Sequence, residues 1–277
     1  GSRMLTQALP LVNGEAPLVQ SAVPGSDKSF EEQFGDRMGA VRWDSGAGEA
    51  TVEAVDANAI TLRDAQGKAH TVELYSNLPF NRKTFIHNSP VVVPGDRVAP
   101  GQILAKSNFT NGEGVTALGT NARVAYIPYK GYNYEDAIVI SESFAKRSAS
   151  EHVYQNDLDL DGDAEAGKNR FISIFPGRYS RELLSTIDDE GVVTPGTRVN
   201  HDDPLILAVK QRSGGPQLGK RKAAWSDASV KWDHHAPGIV TDVFKGKKGI
   251  KVVVTSINTT EVGDKFAGRY GDKGIDA

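Results

Sequence analysis

Two stretches of the chain concentrate side chains able to do chemistry. Between Gly263 and Gly274, the cations Lys265, Arg269 and Lys273 alternate with Gly263, Gly268, Gly271 and Gly274. Lysine carries a compact, strongly hydrated positive charge, and glycine lets the backbone turn sharply and approach a ligand closely. That combination suits neutralisation of phosphate charge, the main demand of phosphoryl transfer, which also needs metal held by carboxylates. The second stretch offers Glu135-Asp136 ahead of the apolar run Ala137-Ile138-Val139-Ile140. Neighbouring residues on a strand point to opposite faces, so both carboxylates reach one ion directly only if the strand ends there. Asn133, just upstream, is expected to shape the turn. Taken singly, each stretch has a plainer reading: a glycine-rich segment with lysines as a solvated hairpin, an acidic pair as a solvated turn.

Three other clusters compete for attention. Asp157, Asp159 and Asp161 precede Gly162 in the spacing that opens a calcium-binding EF-hand loop, but position 12 of that loop is Lys168 rather than glutamate, and no helical pattern flanks it. A solvated acidic loop is the favoured reading, with fortuitous cation binding as the lesser one. His234-His235 beside Asp233 lacks further ligands at regular spacing and reads as turn chemistry. Lys210, Arg212, Lys220, Arg221 and Lys222 form a basic cluster in a glycine-rich segment, by default a solvated loop.

The elements that must position these groups are short strands. Thr51–Val55, Ile60–Leu62 and Thr71–Tyr75 alternate between polar turns and predict a three-stranded meander. Val91–Val93, Gly101–Ala105, Arg123–Ile127, Ala137–Ile140, Pro204–Val209 and Gly238–Val240 predict further strands, with Ala137–Ile140 expected to be buried. Lys245–Gly249 predicts a hairpin turn into Lys251–Thr255. Ser141 is expected to cap a short helix through Phe144 and Arg147, and Arg181–Leu184 suits another. Residues 1–46 read as an irregular, wrapping segment, and 156–170 as a change of composition.

Composition fits this picture. The 277 residues include 29 glycines and 13 prolines, with 39% hydrophobic and 24% charged residues, so a buried core is within reach and global disorder is not expected. The absence of cysteine excludes disulfides and thiolate metal sites and favours an intracellular compartment. No apolar run is long enough to span a bilayer, and no signal-peptide pattern opens the chain. The net charge of −3 means that any contact with nucleic acid must be local, or shared with another chain.

Residues 119–142, Gly-Thr-Asn-Ala-Arg-Val-Ala-Tyr-Ile-Pro-Tyr-Lys-Gly-Tyr-Asn-Tyr-Glu-Asp-Ala-Ile-Val-Ile-Ser-Glu, closely resemble a stretch of the β (second-largest) subunit of multisubunit DNA-directed RNA polymerases. Residues 263–274, Gly-Asp-Lys-Phe-Ala-Gly-Arg-Tyr-Gly-Asp-Lys-Gly, resemble a second stretch of that family, in the family's order. Val93–Val98, Gln102–Ala105, Val55–Asn58 and Gly1–Pro10 are weaker matches, so Gly1-Ser2 is either native or a cloning scar. The resemblance covers nearly the whole chain, thinly between 150 and 235.

The resemblance implies a mainly β fold with minor α, a double-psi β-barrel interrupted by an inserted flap-like domain. It divides the chain into residues 1–149 (N-terminal segment and first part of the barrel), 150–235 (flap) and 236–277 (second part, with the lysine motif). It implies that Lys265 and Lys273 face the active centre near the RNA 3′ end and the incoming nucleotide, with Arg269 in a lesser catalytic role. Glu135 and Asp136 would lie near the triphosphate and the weaker second Mg²⁺, acting through water or by orienting, with Asp136 favoured. Gln7 would lie near nascent RNA. The implied partners are β′ and the other polymerase subunits, the DNA template, the RNA transcript and NTPs, with an initiation factor at the flap. Primary Mg²⁺ ligands are expected from β′, the isolated chain is expected to be inactive, and the compartment is expected to be cytoplasm, that of the host if phage-encoded.

Two positions depart from the family pattern: Asp272 stands where asparagine is common, and Tyr270 where histidine is common. Asp272 would partly offset the charge of Lys273. Asp159-Leu160-Asp161-Gly162-Asp163 is similar to the Mg²⁺-binding motif of β′ but lacks its flanking Asn-Ala. The chain stops where a full subunit continues, as expected of a truncated piece or of the split β chains of large phages. Two alternatives stand beside the leading reading: a non-catalytic module whose flap binds a factor or regulator, and a single-chain polymerase with its own aspartates at 159–163.

Overall fold

The computed structural model describes residues 7–44, 46–80, 84–160, 164–211 and 225–277. The chain forms two compact units, one of Gly1–His152 with Asn258–Ala277 and one of Val153–Ile257. Strands dominate both, so the mainly β expectation holds. Among the described residues no helix is long and apolar enough to cross a membrane.

The first unit contains the meander read from the sequence. Ala50–Val55, Ala59–Asp64 and Ala69–Glu73 pair antiparallel, and Arg97–Val98 adds to the free edge of Ala50–Val55. Val52, Ile60 and Leu62 point into a core with Trp43, Val98 and Leu104, while alternate residues of the strands face water. A second antiparallel sheet is ordered Val41–Arg42, Ile103–Ser107, Asn88–Pro90. The expected strand at Val91–Val93 therefore lies three residues earlier. The cause is local: the chain turns at Pro94-Gly95, where Gly95 adopts φ +96° and Asp96 accepts from the Val93 N–H at 2.9 Å.

The N-terminal segment is not irregular throughout, because Phe30–Arg37 is an α-helix. Ser29 caps it by accepting from the Glu32 N–H, with Glu31 and Glu32 in the first turn and Arg37 in the last, the arrangement the helix dipole favours. Gly35 is required there: a Cβ would lie 2.0 Å from the Gly114 carbonyl oxygen. The second short helix forms as read, Glu142–Arg147 with Ser141 as its cap.

The second unit has its own core. Ser150–Asp159, Gly249–Asn258, Gly238–Lys245 and Arg198–Val199 form a four-stranded sheet in that order. Trp232, Leu205, Ile206, Val240, Val252 and Val254 are buried against it. The stretch holding Asp157 and Asp159 is thus strand rather than loop, while Asp161 and Asp163 lie outside the described residues, as does most of the basic cluster. Smaller sheets and the helices Lys168–Ile174 and Arg181–Ser185 surround a satellite core at Phe171, Leu207 and Val209. Gly246 donates its N–H to the Gly249 carbonyl, closing the expected hairpin turn.

Candidate functional site

The lysine motif folds as a short hairpin in the first unit. Lys265–Ala267 pairs antiparallel with Lys273–Asp276, in the register Lys265↔Ile275, Phe266↔Gly274 and Ala267↔Lys273. Cross-strand partners share a face, so Lys265, Ala267, Lys273 and Ile275 line one side of the hairpin and Phe266, Gly274 and Asp276 the other. Burial agrees: the first four are exposed, whereas Gly274 and Asp276 are buried. Phe266 packs near Phe144 of the short helix, with ring centroids 6.0 Å apart.

The strand that follows the acidic pair completes this sheet. Ala137–Ile138 runs parallel to Lys273–Asp276, pairing Ala137 with Ile275 and Ile138 with Asp276. The Asp136 carbonyl accepts from the Ile275 N–H at 3.0 Å, and Ile138 from Ala277 at 3.0 Å. The turn holding Glu135 and Asp136 leads directly into one strand and Lys273 begins the other, so the acidic turn and that lysine lie toward one end of the sheet. Gly274 makes the approach possible: a Cβ there would sit 2.6 Å from the Asp136 carbonyl oxygen and 2.4 Å from Ile138 Cδ1.

Glu135 and Asp136 stand in a turn, not in a strand, and Glu135 has φ +56°, a left-handed conformation uncommon outside glycine. Strand alternation therefore does not set their side chains on opposite faces. The Ala137–Ile140 run gives only a two-residue strand that is half-buried, and Val139 is exposed. Arg123–Ile127 forms no strand either. It is exposed throughout, with Tyr126 at 94%, and among the described residues no strand pairs with it. Asn133 shapes the preceding turn as expected, accepting from the Tyr129 N–H at 2.8 Å and donating to the Ile127 carbonyl at 2.6 Å.

Lys265, Lys273, Glu135 and Asp136 are all exposed, and among the described residues none of their side chains has an ion-pair or hydrogen-bond partner. Gln7 is likewise exposed and is not hydrogen-bonded to this sheet. Arg269 differs. Its guanidinium donates to Glu31 Oε1 at 2.5 Å and to the Val19 carbonyl at 2.8 Å. Glu31 is buried, and its other oxygen accepts from the Ser21 N–H at 2.8 Å. Burial pushes the Glu31 carboxyl up, but hydrogen bonds from backbone N–H groups and from Arg269 outweigh it and hold the group below its usual range.

A second tie joins Glu15 to Arg147 and to the Asn121 N–H at 2.9 Å. These contacts, the Arg147 hydrogen bond first, lower the Glu15 pKa from 4.5 to about 2. Neither Glu15 nor Glu31 was signalled by its local sequence, since the arginines they hold lie more than a hundred residues away.

The donor set does not make a metal centre by itself. Among the described residues no three His, Asp or Glu side chains come together to hold an ion, and Glu135-Asp136 offers two adjacent carboxylates only. In the second unit His234 packs on Tyr154 and Trp232, with ring centroids 3.9 and 4.7 Å away, which accounts for it structurally.

The class this geometry defines is a β-rich chain whose two-lysine hairpin pairs in parallel with the strand after an acidic turn. The family described as RNA polymerase Rpb2, domain 6, matches residues 46–277, and the chain belongs to that family. DNA-directed RNA polymerase subunit beta of Prochlorococcus marinus (strain NATL1A) is 32% identical over 99% of this chain and 26% of its own length. The subunits of Syntrophomonas wolfei and Acetivibrio thermocellus are each 30% identical over 99% of this chain and 26% and 23% of theirs. The chain is thus a β-subunit segment that spans about a quarter of the length of the curated relatives it matches.

Proposed function

We propose that this chain contributes part of the catalytic centre of a DNA-directed RNA polymerase, which extends RNA on a DNA template from NTPs. Lys265 and Lys273 neutralise charge on the incoming nucleotide's phosphates and at the RNA 3′ end. Positive groups aimed at developing phosphate charge are among the larger contributions to phosphoryl transfer. Glu135 and Asp136 orient ligands, through water, around a second Mg²⁺. The primary metal ligands belong to β′. Gln7 is proposed to lie near the transcript. In this reading the three-stranded sheet is part of a double-psi β-barrel, residues 150–235 are the flap-like insertion, and the chain is inactive without β′.

The observation that carries the reading is the parallel pairing of Ala137–Ile138 with Lys273–Asp276, which brings acidic turn and basic hairpin to one sheet with all four charged side chains unpaired among the described residues. A functional cation is expected to be left without a carboxylate of its own. In polymerase assembled around this chain, Lys273→Ala and Lys265→Ala should each slow single-nucleotide addition by on the order of a hundredfold while leaving chain stability within about 0.5 kcal/mol. Rapid-quench measurement of one addition cycle reads this. Unchanged rates in both variants would sink the proposal.

The alternative, a factor-binding module, has one observation in its favour: the second unit carries its own core around Trp232 and also exposes Ile239 and Phe244. Loss of initiation-factor capture on deleting that unit, with nucleotide addition intact, would favour it.

A further inference from the structure

We propose that Arg269 and Glu31 form a positioning clamp: Arg269 does not meet substrate but fixes the turn 268–272, and through it Lys273, against the helix Phe30–Arg37. The catalytic consequence rests on the reading above; the clamp itself rests on geometry. The guanidinium is used on two sides, by Glu31 Oε1 at 2.5 Å and by the Val19 carbonyl at 2.8 Å. A planar, forked donor bridges two acceptors in this way, whereas a lysine ammonium would not hold both with the same geometry.

The anchor end is rigid. The Glu31 side chain is 6% exposed and also takes the Ser21 N–H at 2.8 Å and Ser21 Oγ at 3.3 Å. The Glu31 backbone carbonyl accepts from Thr116 N and Oγ1 at 3.0 and 2.7 Å. The tight seat of Gly35 on Gly114 holds the next turn of the helix.

The turn end is loose. Beyond the strand ladder it is closed by the backbone bond from Gly268 N–H to the Asp272 carbonyl at 2.9 Å, with the Asp272 carboxylate lying over Gly268. Tyr270 is 81% exposed, and Gly271, at φ +108°, has open space around it. Among the described residues, Arg269 is the one side chain of this turn that hydrogen-bonds to another element. Lys273 follows the turn immediately, so freedom in the turn becomes freedom in the lysine. A charge-assisted pair whose acceptor is buried is strong enough to set that freedom.

Hydrogen exchange read by mass spectrometry on the full 277-residue chain tests the clamp without any activity. Arg269→Lys and Glu31→Gln should each speed exchange of amides 268–273 by about tenfold, and the double variant should be no faster than the quicker single one. Unchanged exchange in Arg269→Lys, or additive effects in the double variant, would overturn the clamp. Should Glu31→Gln fail to fold because its site is buried, Arg269→Lys, altered at a partly exposed side chain, still decides.

A second arm separates positioning from direct contact. In the assembled polymerase, Arg269→Lys should slow nucleotide addition by about tenfold, and should add nothing in a Lys273→Ala background, because it acts through that lysine. Multiplying losses would mean that Arg269 works independently of Lys273 and would overturn the proposal. If Lys273→Ala alone left addition unaffected, the catalytic reading would fall while the exchange result stood.

Discussion

Two lysine-bearing hairpins in this chain solve opposite problems. In the second unit, Gly238–Lys245 and Gly249–Asn258 are eight and ten residues long and bury Val240, Ile250, Val252 and Val254. The lysines on these strands are answered, Lys245 by Asp188 at 2.5 Å and Glu190 at 3.0 Å and Lys251 by Asp157 at 3.9 Å, while Lys247 and Lys248 stand in the turn. In the first unit, Lys265–Ala267 and Lys273–Asp276 are three and four residues long, their lysines are unanswered among the described residues, and little of the hairpin is buried. A long hairpin with a core can stabilise itself. A short one that must leave two cations free is held by others: the parallel strand Ala137–Ile138, the Phe144 ring and the Glu31–Arg269 pair. Stability and charge presentation are thus assigned to different residues.

The largest effect that sharpens this contrast is expected at Trp232, which is fully buried with its indole N–H on the Ala236 carbonyl at 2.8 Å. Trp232→Ala should destabilise the second unit by about 3–5 kcal/mol, read as a shifted denaturation midpoint. A cost below about 1 kcal/mol would mean that the long hairpin is not supported by its own core. Next comes Gly274→Ala, which pushes a methyl group against the Asp136 carbonyl and Ile138. A backbone oxygen cannot yield as a side chain does, so a cost of about 1–3 kcal/mol is expected. It should fall on the first unit, with faster exchange of the Ile275 amide, which Asp136 otherwise accepts. If the loss appeared in the second unit instead, the division of labour would be wrong.

How much of this could be read along the chain depends on the range of the interaction. The meander was legible because alternation and turn residues are local: Ala57-Asn58 and Gln66-Gly67 sit where the structure turns, and Ile60 and Leu62 face the core. The Ser141 cap and the Asn133 turn were legible for the same reason. The Arg123–Ile127 run misled because apolar alternation reports a demand for burial, and the described residues do not meet it. The helix Phe30–Arg37 was hidden by the Pro- and Gly-rich sequence before it, although its Ser29 cap and first-turn glutamates were available. In the site, both charged motifs could be named from sequence, but not the ties behind them. Arg269 and Glu31 are 238 residues apart, and no local pattern marks a glutamate as the seat of a distant arginine.

The smallest expected effect is an acid test of those long-range ties. Glu15 holds Arg147 and the Asn121 amide, joining the N-terminal segment to the start of the stretch that leads into the acidic turn. Its folded-state pKa is about 2 against an ordinary 4.5. A depressed carboxyl binds protons less readily folded than unfolded, so its contribution is complete above pH 4.5 and is lost as pH falls through about 2. The carboxylate is partly exposed, so solvent screening keeps the contribution small. Glu15→Gln should therefore lower stability at neutral pH, and the gap between variant and parent should close between pH 4.5 and about 2. Denaturant titrations of both proteins across that window read it directly. A gap that stayed constant down to pH 2 would mean that the charge of Glu15 does no work, leaving the Asn121 contacts and packing to hold the segment.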